Sequence, residues 1–253
     1  MTTLEVLFTP ADFAALNQRD LSQTICVVFD VLRATSTMVT ALNNGTAAII
    51  PVAEISEAVE LRRRQPEVLL AGERDGVRIP SHLTGGLGFD LGNSPREFTA
   101  EKVSGRTIVM STTNGTRAMR ACTGAQLILA GSFLNLRTTA GFLEKLGPQH
   151  LLLVCSGTIE EAAYEDILGA GALCDLLWTS YSAGAVADSA YAARRLFRLE
   201  RGDLLAALSA SRNGRRLLAR PELSEDVPFC LQQDSVDLVA QLDKEGRVQR
   251  RKE

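Results

Sequence analysis

At 253 residues, 45% hydrophobic and 23% charged, the chain has the make-up of a globular protein that can bury a sizeable core in one large domain or two small ones. A formal net charge of −3 argues against general nucleic-acid binding, which needs a basic face. No apolar run approaches the roughly 18 residues of a membrane span.

Short apolar runs at 4–8, 24–30, 47–52, 67–71, 107–111, 126–130 and 151–155 predict strands, most of them continuously apolar, as in a sheet covered on both faces. Helical patterns fall between them at 34–42, 55–64, 115–122, 134–146 and 160–177. The alternation predicts an α/β fold, layered α/β/α, with a largely parallel or mixed sheet. From about 184 to 220 the pattern is helical throughout, and 227–239 is the place for one last strand. Residues 1–243 are read as a compact catalytic unit, with a division into two α/β lobes near 125 left open, and the charged tail 244–253 is expected to fray. The cysteines (26, 122, 155, 174 and 230) form neither a C-x-x-C pair nor a disulfide framework, and no signal-peptide pattern opens the chain, so a reducing cytoplasm is expected. Lysine occurs only at 102, 145, 244 and 252, so arginine supplies nearly all the cations, a residue suited to forked recognition of oxyanions.

The most informative stretch is the glycine-rich loop from Gly85 to Glu97, where Asn93 or Ser94 can cap a helix beginning at Pro95. Asp90 in that loop is a candidate metal ligand. In open α/β sheets ligands bind beyond the carboxyl ends of the strands. Four predicted strands end in chemistry-bearing residues: Asp30 to Thr35, with Arg33; Gly72 to Arg74; Ser111 to Arg117; and Ser156 to Thr158. Asp30 can ligate a divalent metal or attack a phosphoryl group, while Arg33 holds the anion. Glu73 suits a metal and Arg74 an anion. Ser111, Thr112, Thr113, Asn114, Gly115 and Thr116 can aim donors at phosphate oxygens ahead of a helix. Ser156, Gly157 and Thr158 form a shorter version, followed by Glu165 and Asp166, of which at most one is expected to reach the site because neighbours on a helix diverge. His82, in a polar loop, is a weaker candidate proton donor. Nucleotide-binding glycine fingerprints and a Ser-His-Asp order are absent from the sequence. The segment at Asp30 resembles the nucleophile motif of haloacid-dehalogenase-type phosphatases, but Leu32 stands where that motif has its second aspartate, which counts against an aspartyl-phosphate intermediate.

Taken in order, Asp30-Val-Leu-Arg-Ala-Thr35, Gly72-Glu-Arg74, Gly88-Phe-Asp-Leu-Gly-Asn-Ser-Pro95, Ser111-Thr-Thr-Asn-Gly-Thr-Arg117, Ser156-Gly-Thr158 with Glu165-Asp166, and Phe229-Cys-Leu-Gln232 with Asp234 resemble the 2-phosphosulfolactate phosphatase family. The resemblance spans about residues 25 to 240 and implies a fold peculiar to that family. It also implies a Mg²⁺-dependent phosphatase that releases phosphate from 2-phosphosulfolactate, a step towards coenzyme M, or from a related 2-phospho-hydroxy acid. The expected catalytic residues are Asp30, Arg33 and Asn114. Asp30, Glu73, Asp90 and Glu165 or Asp166 are the expected Mg²⁺ ligands, and a metal-activated water is preferred over Asp30 as nucleophile. Arg74 and Arg117 are assigned to the substrate carboxylate or sulfonate, and Asn93 and Ser94 to further substrate contacts. The partner is a small anionic phosphate ester; a homo-oligomer is left open. A different metal-dependent enzyme acting on phosphorylated acids and a non-catalytic anion-binding module are the alternative classes.

Overall fold

The computed structural model describes residues 2–147 and 150–251. Its strands are β1 (Thr3–Leu7), β2 (Thr24–Phe29), β3 (Ala48–Val52), β4 (Leu69–Arg74), β5 (Val77–Arg78), β6 (Thr107–Ser111), β7 (Leu127–Gly131), β8 (His150–Cys155), β9 (Ala185–Val186), β10 (Ala240–Leu242) and β11 (Val248–Arg250). The helices are α1 (Pro10–Ala14), α2 (Ala34–Asn43), α3 (Ile55–Arg64), α4 (Ala100–Val103), α5 (Gly115–Ala121), α6 (Leu136–Leu146), α7 (Tyr164–Tyr181), α8 (Asp188–Glu200), α9 (Leu204–Ser209), α10 (Arg212–Leu218) and α11 (Asp226–Cys230). Each of the seven strands expected from apolar runs is present, shifted by at most a few residues at its ends. Among the described residues, no helix is long and apolar enough to cross a membrane.

All strands join one mixed sheet in the order β5-β4-β6-β3-β11-β10-β7-β2-β8-β1-β9. Alternate residues of β2 enter different cores: Ile25, Val27 and Phe29 pack with α6, α7 and α8, while Cys26 and Val28 pack with α2 and α5. The strand is buried on both faces because helices cover both, which is why its sequence is continuously apolar rather than alternating. A third cluster, with Val109 and Leu70, seats Ala58 of α3.

Two expectations fail at the C-terminal end. Residues 227–239 hold no strand: α11 turns there, and the strand comes later, as β10. The charged tail does not fray over its described part, since β11 pairs with β10 and β3 in the middle of the sheet (Lys252 and Glu253 lie outside the described residues). Hydropathy hides this strand because only Val248 of its three residues turns into the core. The 184–220 stretch also carries one short strand, β9, ahead of its helices.

The hairpin of β10 and β11 has a consequence for the site. β10 runs antiparallel to β7 and β11 antiparallel to β3, so the β3-β6-β4 flank runs opposite to the β7-β2-β8-β1 flank. Strand ends from both flanks nevertheless meet at one cavity.

Candidate active site

A cavity of about 70 Å³ is lined by Asp30 and Arg33 after β2, Glu73, Asp75 and Gly76 around the end of β4, Thr113 and Asn114 after β6, Gly157 to Ile159 after β8, and Glu165 and Asp166 on α7. Asn93 from the glycine-rich loop and Asn213 and Arg216 from α10 complete it. The four predicted strand ends therefore converge.

Asp30 leaves β2 and turns into α2, where its Oδ1 accepts the Ala34 N–H at 3.0 Å. Gly115 lets α5 pass close: a β-carbon there would lie 2.7 Å from Asp30 Oδ2 and 2.8 Å from the Ala34 β-carbon. Burial raises the Asp30 carboxyl above the ordinary carboxylate range; the Ala34 N–H opposes this and the charge of Glu73 adds to it. Glu73 braces two loops, with Oε1 accepting the Thr113 N–H (3.0 Å) and hydroxyl (2.8 Å) and Oε2 the Gly76 N–H (2.8 Å). The turn needs a glycine at 76, where φ is +80°.

Glu165 and Asp166 both line the cavity, against the expectation that only one would reach it. They stand in the first turn of α7, and the end of that helix abuts the site, so neighbours that diverge still border it. Asp166 accepts N–H bonds from Val31 (2.8 Å) and Gly157 (3.1 Å) and the Ser156 hydroxyl at 3.0 Å. Burial lifts its carboxyl well above the usual range, with the charges of Asp30 and Glu165 adding to the shift. Burial likewise raises Glu165, against a hydrogen bond from Asn213 Nδ2 to its Oε1. The same amide nitrogen reaches Thr158 Oγ1 at 2.6 Å. Three buried oxygens at the cavity lack a hydrogen-bond partner: Glu165 Oε2, Asn213 Oδ1 and Asn93 Oδ1. Unpaired buried acceptors of this kind are costly and invite a cation or a donor. Among the described residues, no group of three or more His, Cys, Asp or Glu side chains stands ready to hold a metal.

Arg33 is almost wholly buried, one terminal nitrogen on Asp226 Oδ2 and the other on the Gly76 carbonyl, each at 2.7 Å. Ser94 does not cap a helix through its side chain; its hydroxyl donates to Asp226 at 2.6 Å, and only a short 3₁₀ turn, Pro95–Glu97, follows. Asn114 Oδ1 accepts the Ile159 N–H at 3.2 Å, which leaves the amide NH₂ as a donor at the cavity.

Other predicted residues lie outside the cavity. Asp90 binds Arg62 at 2.7 Å and the Leu70 N–H at 2.8 Å, pinning the glycine-rich loop to β4. Arg74 is spent on Ser111 Oγ (2.9 Å) and the Glu73 carbonyl (2.7 Å). Arg117 faces Glu160 at 3.6 Å on the surface. Thr112 and Thr116 are buried and bond each other, so their hydroxyls start the helix instead of cradling an anion. His82 is exposed in a 3₁₀ turn. The sequence carries no local sign of Asn213, Arg216 and Asp226, which sit on α10 and α11 far along the chain and not at strand ends.

A family model described as 2-phosphosulpholactate phosphatase matches residues 12–245. A "Probable 2-phosphosulfolactate phosphatase" of Caldanaerobacter subterraneus subsp. tengcongensis is 37% identical over 248 residues, covering 96% of this chain and 97% of the relative. A protein of the same description from Caldicellulosiruptor saccharolyticus is 39% identical, over 87% of this chain and 90% of its own. Another, from Thermotoga petrophila, is 41% identical, over 82% and 84%.

Proposed function

The chain belongs to the 2-phosphosulfolactate phosphatase family, and from that premise we propose that it is a phosphomonoesterase hydrolysing 2-phosphosulfolactate to sulfolactate and phosphate. The observation that carries the reading to this chain's own residues is the convergence of Asp30, Glu73, Glu165 and Asp166 with Asn93, Asn114 and Asn213 on one cavity.

In that reaction a water oxygen bonds to phosphorus, the bond from phosphorus to the C2 oxygen of the acid breaks, and the leaving oxygen takes up a proton. Asp30 is the base that receives the proton of the attacking water. Its burial supports this role, because a carboxyl raised out of its ordinary range is better matched to proton transfer near neutrality. Asn114 offers its amide NH₂ to the phosphoryl oxygens. Arg33, tied on both terminal nitrogens, supplies fixed positive charge beside the site.

Mg²⁺ fits the donor set. It is a hard cation that takes oxygen ligands, usually one or two carboxylates with waters and substrate phosphate. Glu165 Oε2 and Asn213 Oδ1 are the buried oxygens left to hold it, with Asp30 beside them; Glu73 and Asp166 already accept two or more donors each. When bound, the ion would offset charge on the phosphoryl oxygens. A cytoplasmic setting is supported by the free, buried cysteines at 26, 122, 155, 174 and 230.

Phosphate release from 2-phosphosulfolactate, measured with Mg²⁺ and then with EDTA, tests the reading. Turnover with the ion and its loss on chelation are expected. No phosphate from this ester or from any other 2-phospho-hydroxy acid would overturn the function, and turnover indifferent to EDTA would overturn the metal.

A further inference from the structure

Granted the phosphatase reading, on which this inference rests, we propose that Arg216 is the specificity-determining residue that holds the non-transferred oxyanion of the substrate, its carboxylate or its sulfonate. The cavity is lined by five carboxylates (Asp30, Glu73, Asp75, Glu165 and Asp166) against two cations, Arg33 and Arg216. A substrate carrying phosphate, carboxylate and sulfonate enters such a place only if cations are free to meet it. Arg33 is not free, since its terminal nitrogens are taken by Asp226 and the Gly76 carbonyl.

The arginines expected for this task, Arg74 and Arg117, bond elsewhere. Arg216 differs from its neighbours in the same stretch. Arg212 bonds Glu161, Arg215 the Ala210 carbonyl and Arg220 the Asp75 carbonyl. Arg216 has neither a hydrogen bond nor an ion pair among the described residues, and it is exposed at the cavity rim. It follows Asn213 by three positions on α10, so the two share a face, with Asn213 buried inside and Arg216 at the mouth. The guanidinium lies alongside the turn after β4: a β-carbon at Gly76 would stand in ordinary contact with Arg216 Nη2, at 3.9 Å. A guanidinium fork matches carboxylate and sulfonate oxygens pairwise, which an ammonium cannot do.

The experiment compares wild type, R216Q and R216K with Mg²⁺ on three esters: 2-phosphosulfolactate, 2-phospholactate (no sulfonate) and 2-phosphooxyethanesulfonate (no carboxylate). R216Q is expected to raise KM for 2-phosphosulfolactate by roughly ten- to a hundredfold with a much smaller change in kcat, and R216K to recover only part of it. The truncated ester that lacks the group held by Arg216 should be insensitive to R216Q, which identifies that group. An equal change, or none, on all three esters overturns the assignment, as does a loss confined to kcat. Wild-type enzyme that hydrolyses none of the three brings down the phosphatase reading and this inference with it.

Discussion

Arg33 and Asp226 stand 193 positions apart in sequence and meet at 2.7 Å, with side chains 3% and 0% exposed. Asp226 also accepts the Ser94 hydroxyl, so one carboxylate ties the turn after β2, the glycine-rich loop and α11. Removing it leaves an almost wholly buried guanidinium without its carboxylate. Asp226→Ala is expected to cost about 3–5 kcal/mol in urea unfolding, against the 0–1 kcal/mol typical of a surface pair. A loss below about 1 kcal/mol would mean that Arg33 finds another partner or reaches solvent.

Burial raises the Glu165 carboxyl, with a direct consequence for pH dependence. A carboxyl whose folded value exceeds its unfolded value gives up stability as pH climbs from the unfolded value through the folded one, because the native state then binds more protons. Glu165→Gln removes that loss. In EDTA the variant should gain thermal stability over wild type as pH rises from the ordinary carboxylate range, about 4, towards neutrality. A gap in Tm that stays flat or narrows across that interval contradicts the assignment.

Gly115→Ala pushes a methyl group to 2.7 Å from Asp30 Oδ2. The carboxylate must shift, so turnover should fall by roughly a hundredfold, since about 1 Å of misplacement at a reacting group can cost that much. The test is kcat measured beside the unfolding midpoint. Activity that falls only in proportion to lost folded protein would show that Asp30 tolerates the displacement.

Asp30→Asn deletes the proposed base and should lower kcat by about 10²–10⁴. With native enzyme, an ester made chiral at phosphorus with oxygen isotopes should release phosphate with inverted configuration, the outcome of a single in-line attack by water. Retention of configuration, which takes two successive displacements, would make Asp30 the nucleophile.

The sequence made much of the site legible because strand ends announce themselves. Asp30, Glu73, Asn114 and Thr158 each follow an apolar run, and all four line the cavity. Hydroxyls were harder to read, since Thr112 and Thr116 carry the same local signal whether they face an anion or, as here, the helix start. Asp90 misled for a related reason: a carboxylate among glycines looks available until Arg62, 28 positions earlier, is found beside it. Asn213 and Arg216 gave no signal because α10 lies in an arginine-rich helical stretch where any one polar residue resembles a solvated face. β11 was hidden by its own polarity, although its hairpin with β10 sits between β7 and β3.

That hairpin also orders events during synthesis. The ribosome makes residues 240–250 after every other strand, so while the chain is emerging β3 and β7 each present an open edge where the finished sheet has a neighbour. Exposed strand edges are where nascent chains pair with the wrong partner. The segment that covers both edges in the finished sheet contributes no residue to the cavity.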